Sequence, residues 1–445
     1  MPACESLPHR PARPAPRLRR HGLSLALALA ASAAGAQELS WSAYGTLGYA
    51  RSDRHFTYQR HITDEGGFAR DTRLGLQADL RFSPQWWATA QVKLEPARAN
   101  DNAWALSTAW AFVGWRPDDD WLLRLGRLRL PMYLHSESMD VGATHDMVRL
   151  PGEMYSIVPT PDFDGVSVSR NWALGAQGER ELTADVYGGS ASSVARFWRR
   201  DGLPPLLPAG ASFEPVTLDL HGLALTLRQR GLLVRSSLSR ASSRRTDGQV
   251  AVRFPFVPLG NGLGYYQVDE NLPGPGIPRV DRVRNTIFSL GAEAGLGQGW
   301  RVSGEFVRNL QHDTAFGADT SAAYVALFRQ VGAFTPYVSL AGQRTRQAAF
   351  DWYDRLTAHP LPAVVPGAAQ INAAQRVAAE SYWVTDQQSL ALGSSYALTP
   401  QVKLKAEWLH TRIGRISRMV DAPAGEPTPR RTGVNVLSFN LNFAY

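Results

Sequence analysis

Apolar and polar residues alternate with period two along most of this chain. In the clearest run, Arg70 to Phe82, Thr72, Leu74, Leu76, Ala78, Leu80 and Phe82 alternate with Asp71, Arg73, Gly75, Gln77, Asp79 and Arg81. Ser83-Pro84-Gln85 turns the chain. From Trp87 to Glu95, Ala88, Ala90, Val92 and Leu94 then oppose Thr89, Gln91, Lys93 and Glu95. A strand with this pattern offers one face to oil and the other to polar surroundings. Sixteen such segments are predicted, near 40–51, 70–82, 87–95, 103–116, 121–130, 164–172, 181–188, 216–228, 232–240, 284–296, 300–308, 320–329, 334–344, 388–398, 402–411 and 434–445. Alternation is poor in 103–116, 121–130 and 216–228, which predicts a bulge or a change of face in each. Pro336 falls near the start of its strand, where a missing N–H costs least.

The connections have their own order. Short turns at 83–86, 117–120, 173–180, 229–231, 297–299, 330–333 and 399–401 alternate with connections that are nearly all longer, at 52–69, 96–102, 131–163, 189–215, 241–283, 309–319, 345–387 and 412–433. The long ones are rich in Pro and Gly, as in Leu272-Pro273-Gly274-Pro275-Gly276. That is the order of an up-and-down barrel. No window reaches the eighteen or so apolar residues of a spanning helix. A chain that crosses lipid without such helices must close its strands into a barrel, because every backbone group needs an internal partner. A soluble sandwich rarely sets Asp, Arg, Gln and Lys against purely apolar faces over so many strands. Trp86, Trp87, Trp115, Trp121, Trp172, Trp300, Tyr396, Phe443 and Tyr445 lie beside the short turns, as rings that are half buried and half wet do at a membrane interface.

The two ends change the picture further. Arg10, Arg13, Arg17, Arg19 and Arg20 precede a short apolar run, Leu23 to Ala33, and the small-residue pattern Ala34-Gly35-Ala36. This is the grammar of a secretory signal, so residues 1–36 are expected to be removed and 37–445 to form the barrel. The removed segment holds five arginines and one acid, so the formal charge falls from +8 to about +4 and no nucleic-acid partner is expected. It also holds Cys4, the one cysteine, which leaves the exported chain without a disulfide. At the other end, Leu437, Phe439, Leu441, Phe443 and Tyr445 share one parity. The terminal aromatic resembles the C-terminal strand signature of bacterial outer-membrane barrels. That resemblance implies that Phe439, Leu441, Phe443 and Tyr445 are read by the barrel-assembly machinery.

The stretch Leu125-Gly126-Arg127-Leu128-Arg129-Leu130-Pro131, the opening Tyr44-Gly45 strand, the loop order and the aromatic terminus together resemble the Gram-negative outer-membrane porins, general or phosphate-selective. The resemblance covers 37–445. It implies an all-β fold: a 16-stranded antiparallel transmembrane β-barrel with short periplasmic turns and long extracellular loops, the third loop folded into the lumen. It implies a homotrimer in the outer membrane, surrounded by lipid and lipopolysaccharide, that passes small hydrophilic solutes by diffusion without a cofactor. It also implies a constriction between an acidic loop and a basic wall. Loop 131–163 supplies Glu137, Asp140, Asp146 and Glu153, with His135 and His145; the wall supplies Arg73 and Lys93, with Arg124, Arg127 and Arg129 as further candidates. Arg124 and Arg127 differ in parity, so both face inward only if Gly126 marks a bulge. A lipid-facing arginine at the midplane costs roughly 2–4 kcal/mol.

Enzyme chemistry has little to build on. His145-Asp146, His221 and His410-Thr411 form no Ser/His/Asp spacing, and Gly260 to Gly264 precedes no helix pattern. His410, on the apolar face of Val402, Leu404, Ala406 and Trp408, is the one candidate for an enzyme acting on lipid. A non-conducting structural or adhesive barrel is the other alternative. The ladder Arg73, Gln77, Gln91, Lys93 and Glu95 argues for a wet lumen instead.

Overall fold

The computed structural model describes residues 38–158, 160–175, 178–246, 248–317, 319–358, 360–382 and 384–445. The expected signal segment 1–36, with Cys4, lies outside them. Each of the sixteen expected strands is present: β1 (Glu38–Ser52), β2 (Arg73–Arg81), β3 (Trp86–Pro96), β4 (Trp104–Trp115), β5 (Trp121–Arg129), β6 (Asp162–Leu174), β7 (Arg180–Arg199), β8 (Gly210–Gln229), β9 (Leu232–Arg245), β10 (Val283–Gly297), β11 (Trp300–Gln311), β12 (Thr320–Arg329), β13 (Phe334–Thr345), β14 (Thr385–Ala397), β15 (Val402–Ser417) and β16 (Thr432–Ala444). Every strand pairs antiparallel with its neighbours in sequence, and β16 pairs with β1 to close the ring. In that seam Tyr44 faces Ala444 and Ser52 faces Val436. The closed ring leaves no edge for another chain to extend.

Alternation decides which face meets what. On β16, Ser438, Asn440 and Asn442 are buried inside, while Leu437, Phe439, Leu441 and Tyr445 stand exposed outside. Exposed Trp86 stacks on Trp115 with centroids 5.6 Å apart, and Arg170 lies over both Trp121 and Trp172. These aromatics gather at the short-turn end. Phe443 joins them by lying across Gly45, where an added Cβ would sit 2.6 Å from its ring.

The three irregular strands have separate causes. In β4, Gln91 of β3 faces Trp110 while Val92 faces Thr108, so Ala109 is an extra, bulged residue. In β5 the pairing runs without a shift from Trp121 to Arg129, so Gly126 is not a bulge; it takes φ +136°, where a Cβ would meet the Ala111 carbonyl. In β8 the register is also unbroken. Its alternation fails because Leu218 and Leu220 are buried with Phe112, Leu128, Phe163 and Tyr187 in an apolar cluster. Pro336 is accommodated because β12 pairs with β13 only from Tyr337 onward.

The long connections hold more structure than alternation predicts. β7 and β8 pair from end to end over twenty residues each, so the expected long connection 189–215 shrinks to 200–209. Beyond the membrane no oily face is required, and amphipathic patterning stops while pairing goes on. Thr57–Tyr58 pairs with Val420–Asp421, and Phe256–Gly260 pairs with Leu263–Tyr266. Among the described residues the connections hold three α-helices, α1 (Gly152–Tyr155), α2 (Gln347–Thr357) and α3 (Ala368–Glu380), and a short 3-10 turn at Gly142–Thr144. In α2 the buried Ala349, Phe350, Tyr353 and Leu356 make one apolar stripe, and α3 is rich in alanine, the strongest helix former.

Candidate functional site at the inward loop

Pro131 ends β5 by removing the next strand N–H, and the chain leaves the wall after Leu130, whose N–H donates to the Pro161 carbonyl. Between these points the connection bonds to inward residues of strands on opposite sides of the barrel. Its backbone meets the closing seam at Val148, whose carbonyl accepts from Asn440 at 3.1 Å, and at Gly142. A Cβ there would lie 2.1 Å from Asn442 Oδ1 and 2.6 Å from Thr46 Oγ1. Lys405 of β15 donates to the carbonyls of Gly142 (2.7 Å) and Met147 (2.8 Å). Apolar residues seat the same segment: Met132, Tyr133, Met147, Met154 and Ile157 are buried in a cluster with Tyr324, Phe328, Tyr337 and Val436 of the wall.

Asp140 is the most heavily engaged acid. It lies 2.9 Å from Arg73, 3.0 Å from Lys93 and 2.7 Å from Arg129. Burial pushes its carboxyl up, but Lys93, Arg129 and Arg73 outweigh burial and hold it well below the usual carboxylate range. Lys93 also meets Glu95 at 3.2 Å, and Arg129 meets Asp162 at 2.7 Å. Four of the expected residues, Arg73, Lys93, Arg129 and Asp140, therefore come together.

The other expected residues are elsewhere. Asp146 lies on the far side of the loop, 3.0 Å from Lys403 and 2.5 Å from Arg301, and accepts from Ser395. Burial raises its carboxyl, but Lys403 leads the opposing contacts and the net shift is downward. Glu137 pairs with Arg235 at 2.8 Å. Glu153, in α1, is buried and accepts from Gln387. Arg124 faces inward but approaches Asp185 at 3.7 Å, away from Asp140. Arg127 shares the parity of exposed Leu125, donates to the Thr108 carbonyl and pairs with the exposed Asp164 at 3.3 Å. Arg127 is thereby left out of the Asp140 cluster, whereas Arg129, of the same parity, reaches it from the end of β5.

Parity could have found several residues that were not singled out. Lys403, Lys405 and Glu407 alternate with Leu404, Ala406 and Trp408; Arg301, Ser303 and Glu305 alternate likewise, as do Arg235, Ser237 and Ser239. Glu305 accepts from the Leu134 N–H, Tyr155 and Tyr324, and Arg149 bonds Asp71 at 2.6 Å with Glu407 at 3.6 Å. The His145 ring donates to the Ser138 carbonyl at 2.9 Å and stands edge-on to His135 with centroids 4.9 Å apart.

A family model described as Gram-negative porin matches residues 23–413, most of the chain. Similar solved structures include outer-membrane expressed OmpT of Vibrio cholerae (12% identity over 92% of this chain and 98% of that one, TM-score 0.48). OmpF of Salmonella typhi in complex with daunomycin is similar at 11% identity, over 92% and 98%, with TM-score 0.48. The outer-membrane channel DcaP of Acinetobacter baumannii is similar at 10% identity, over 93% and 98%, with TM-score 0.49. No curated protein matches by sequence. A matched span that begins before β1 and runs into β15, on a closed ring of sixteen strands, makes this chain a member of the Gram-negative porins, a channel of the outer membrane.

Proposed function

We propose that residues 131–161 narrow a passive diffusion path for small hydrophilic solutes. The supporting observation is that this one segment bonds to opposite walls, through Asp140 to Arg73 and Lys93 and through Asp146 to Lys403 and Arg301. Asp140 with Arg73, Lys93 and Arg129 supplies the fixed charges on one side, and Asp146 with its two cations those on the other. Loop acids and wall cations are in contact here, so their fields largely cancel and the loop acts mainly by width. Arg127 pairs with Asp164 instead of with either loop acid. Replacing 133–158 by a short Gly/Ser linker is expected to raise single-channel conductance several-fold. An unchanged conductance from that folded barrel would place the narrowest point elsewhere.

The chain acts without catalysis on this reading. His410 is held by Asn435 at 2.8 Å and stacks on Trp408 instead of meeting a serine. Residues 1–36 act as a cleaved secretory signal. Phe439, Leu441, Phe443 and Tyr445 present the terminal signal to the assembly machinery, and the barrels associate as homotrimers amid lipid and lipopolysaccharide.

A further inference from the structure

A cavity of about 510 Å³ lies between the inward loop and the long connections. That is the size of a small-molecule site, which typically runs about 300–1,000 Å³. Its lining carries seven arginines and four carboxylates. Asp101, just outside, binds Arg60 and Arg196 without reversing the sign of the excess. The first and last long connections build one wall together. The Gln59 N–H donates to the Met419 carbonyl, and the Gln59 side chain accepts from Arg70 Nε at 3.1 Å. Gln59 and Arg60 both take positive φ, a tight turn that places their side chains here.

Most of the lining arginines are already engaged by acids. Arg196 holds Asp101 and Asp421, Arg200 holds Asp201, and Arg73 holds Asp140. Arg70 is different: its one hydrogen bond is to Gln59, and its other N–H groups have no acceptor among the described residues. Burial draws it down to about 10, against the pull of Asp71. Two more lining residues, Ser156 and Tyr382, carry buried hydroxyls with no partner among the described residues. Unused donors gathered in a positive cavity call for an acceptor-rich anion. The lining is also aromatic, with Phe197, Trp198, Tyr353 and Tyr382, and flat rings stack on flat rings.

We propose that this cavity is a binding site for organic anions with a flat apolar body, of the aromatic carboxylate class. Arg70 takes the carboxylate, Tyr382 or Ser156 donates a further hydrogen bond, and the rings hold the body. The site lies on the loop side of Asp140, so it concentrates such anions ahead of the proposed constriction. The proposal depends on the diffusion reading only for that last step.

Titration calorimetry of the detergent-folded full barrel with benzoate, benzyl alcohol and benzylammonium tests it without needing conductance. Benzoate alone is expected to bind. Arg70→Gln should weaken it about tenfold, the cost of a lost charged hydrogen bond, and Tyr382→Phe should weaken it to a smaller degree. Heat-modifiable migration checks that each variant is folded; where Arg70→Gln fails that check, Tyr382→Phe decides. No benzoate heat, equal binding of all three probes, or unchanged benzoate affinity in the folded variants overturns the proposal. Benzoate binding by a barrel that conducts nothing would support this site while sinking the diffusion reading.

Discussion

Asp140 shows what a single residue does inside this barrel. Three cations converge on it, and its side chain is only 6% exposed. Asp140→Asn leaves Arg73, Lys93 and Arg129 facing one another. Removing one partner of a buried charge cluster costs about 3–5 kcal/mol. We expect the barrel to survive and the loop to be cut faster by added protease. Arg127→Ala, which removes a partly exposed pair worth about 0–1 kcal/mol, should leave the loop as protected as in the wild type. Equal cleavage in all three proteins would show that the cluster does not hold the loop. His145 adds a pH dependence. Burial, with His135 and Lys405 adding to it, lowers its pKa from 6.5 to about 3. The unfolded chain therefore binds more protons between those values, so His145 contributes fully above about pH 6.5, and its contribution is lost as pH falls toward 3. Protease resistance of the loop should fall between pH 7 and pH 4, and His145→Asn should flatten that dependence. A wild-type loop equally resistant at both pH values would contradict it. The charged residues themselves were legible in the sequence, but their partners were not. Parity placed Arg73 and Lys93 inside; nothing local said that Asp140, rather than Glu137 or Glu153, would reach them across 67 and 47 positions of chain.

At the scale of elements, the spanning strands were readable because oil enforces a face. Where that demand ends, so did the reading. The extended β7–β8 hairpin, the small hairpins of the connections and the helices α2 and α3 answer to packing against other loops. The apolar inward positions of β8 blurred its pattern because Leu218 and Leu220 serve an internal cluster. Parity lets Arg124 and Arg127 both face inward only if Gly126 marks a bulge; the positive φ with unbroken pairing found there is a different solution that sequence does not separate. The seam between loop and wall rests on another glycine. Gly142→Val would drive a side chain into Asn442 and Thr46 of the closing strands. Overpacking of this kind typically costs about 1–3 kcal/mol. The loop should lift from the seam, seen as larger and noisier single-channel steps from a barrel of normal heat-modifiability. Steps of wild-type size and noise would mean that the loop does not pack there in the membrane.

The whole molecule is a ring with a charged segment drawn across it. No helix among the described residues is long and apolar enough to cross a membrane, and the exposed apolar residues outside the ring take that role instead. The inside is polar around Asp140 and Asp146, and apolar near β5 to β8 and where Met132, Tyr133 and Met147 seat the loop. The acids and cations of the loop region neutralise one another by contact, while the cavity beyond it keeps an excess of arginine. Ion preference is thus expected to arise in that cavity, and the loop to govern size. The central claim is that this ring conducts. Folded, purified protein added to a planar lipid bilayer is predicted to produce discrete upward steps of current under an applied voltage. Folded protein that inserts and stays silent over repeated trials would contradict it.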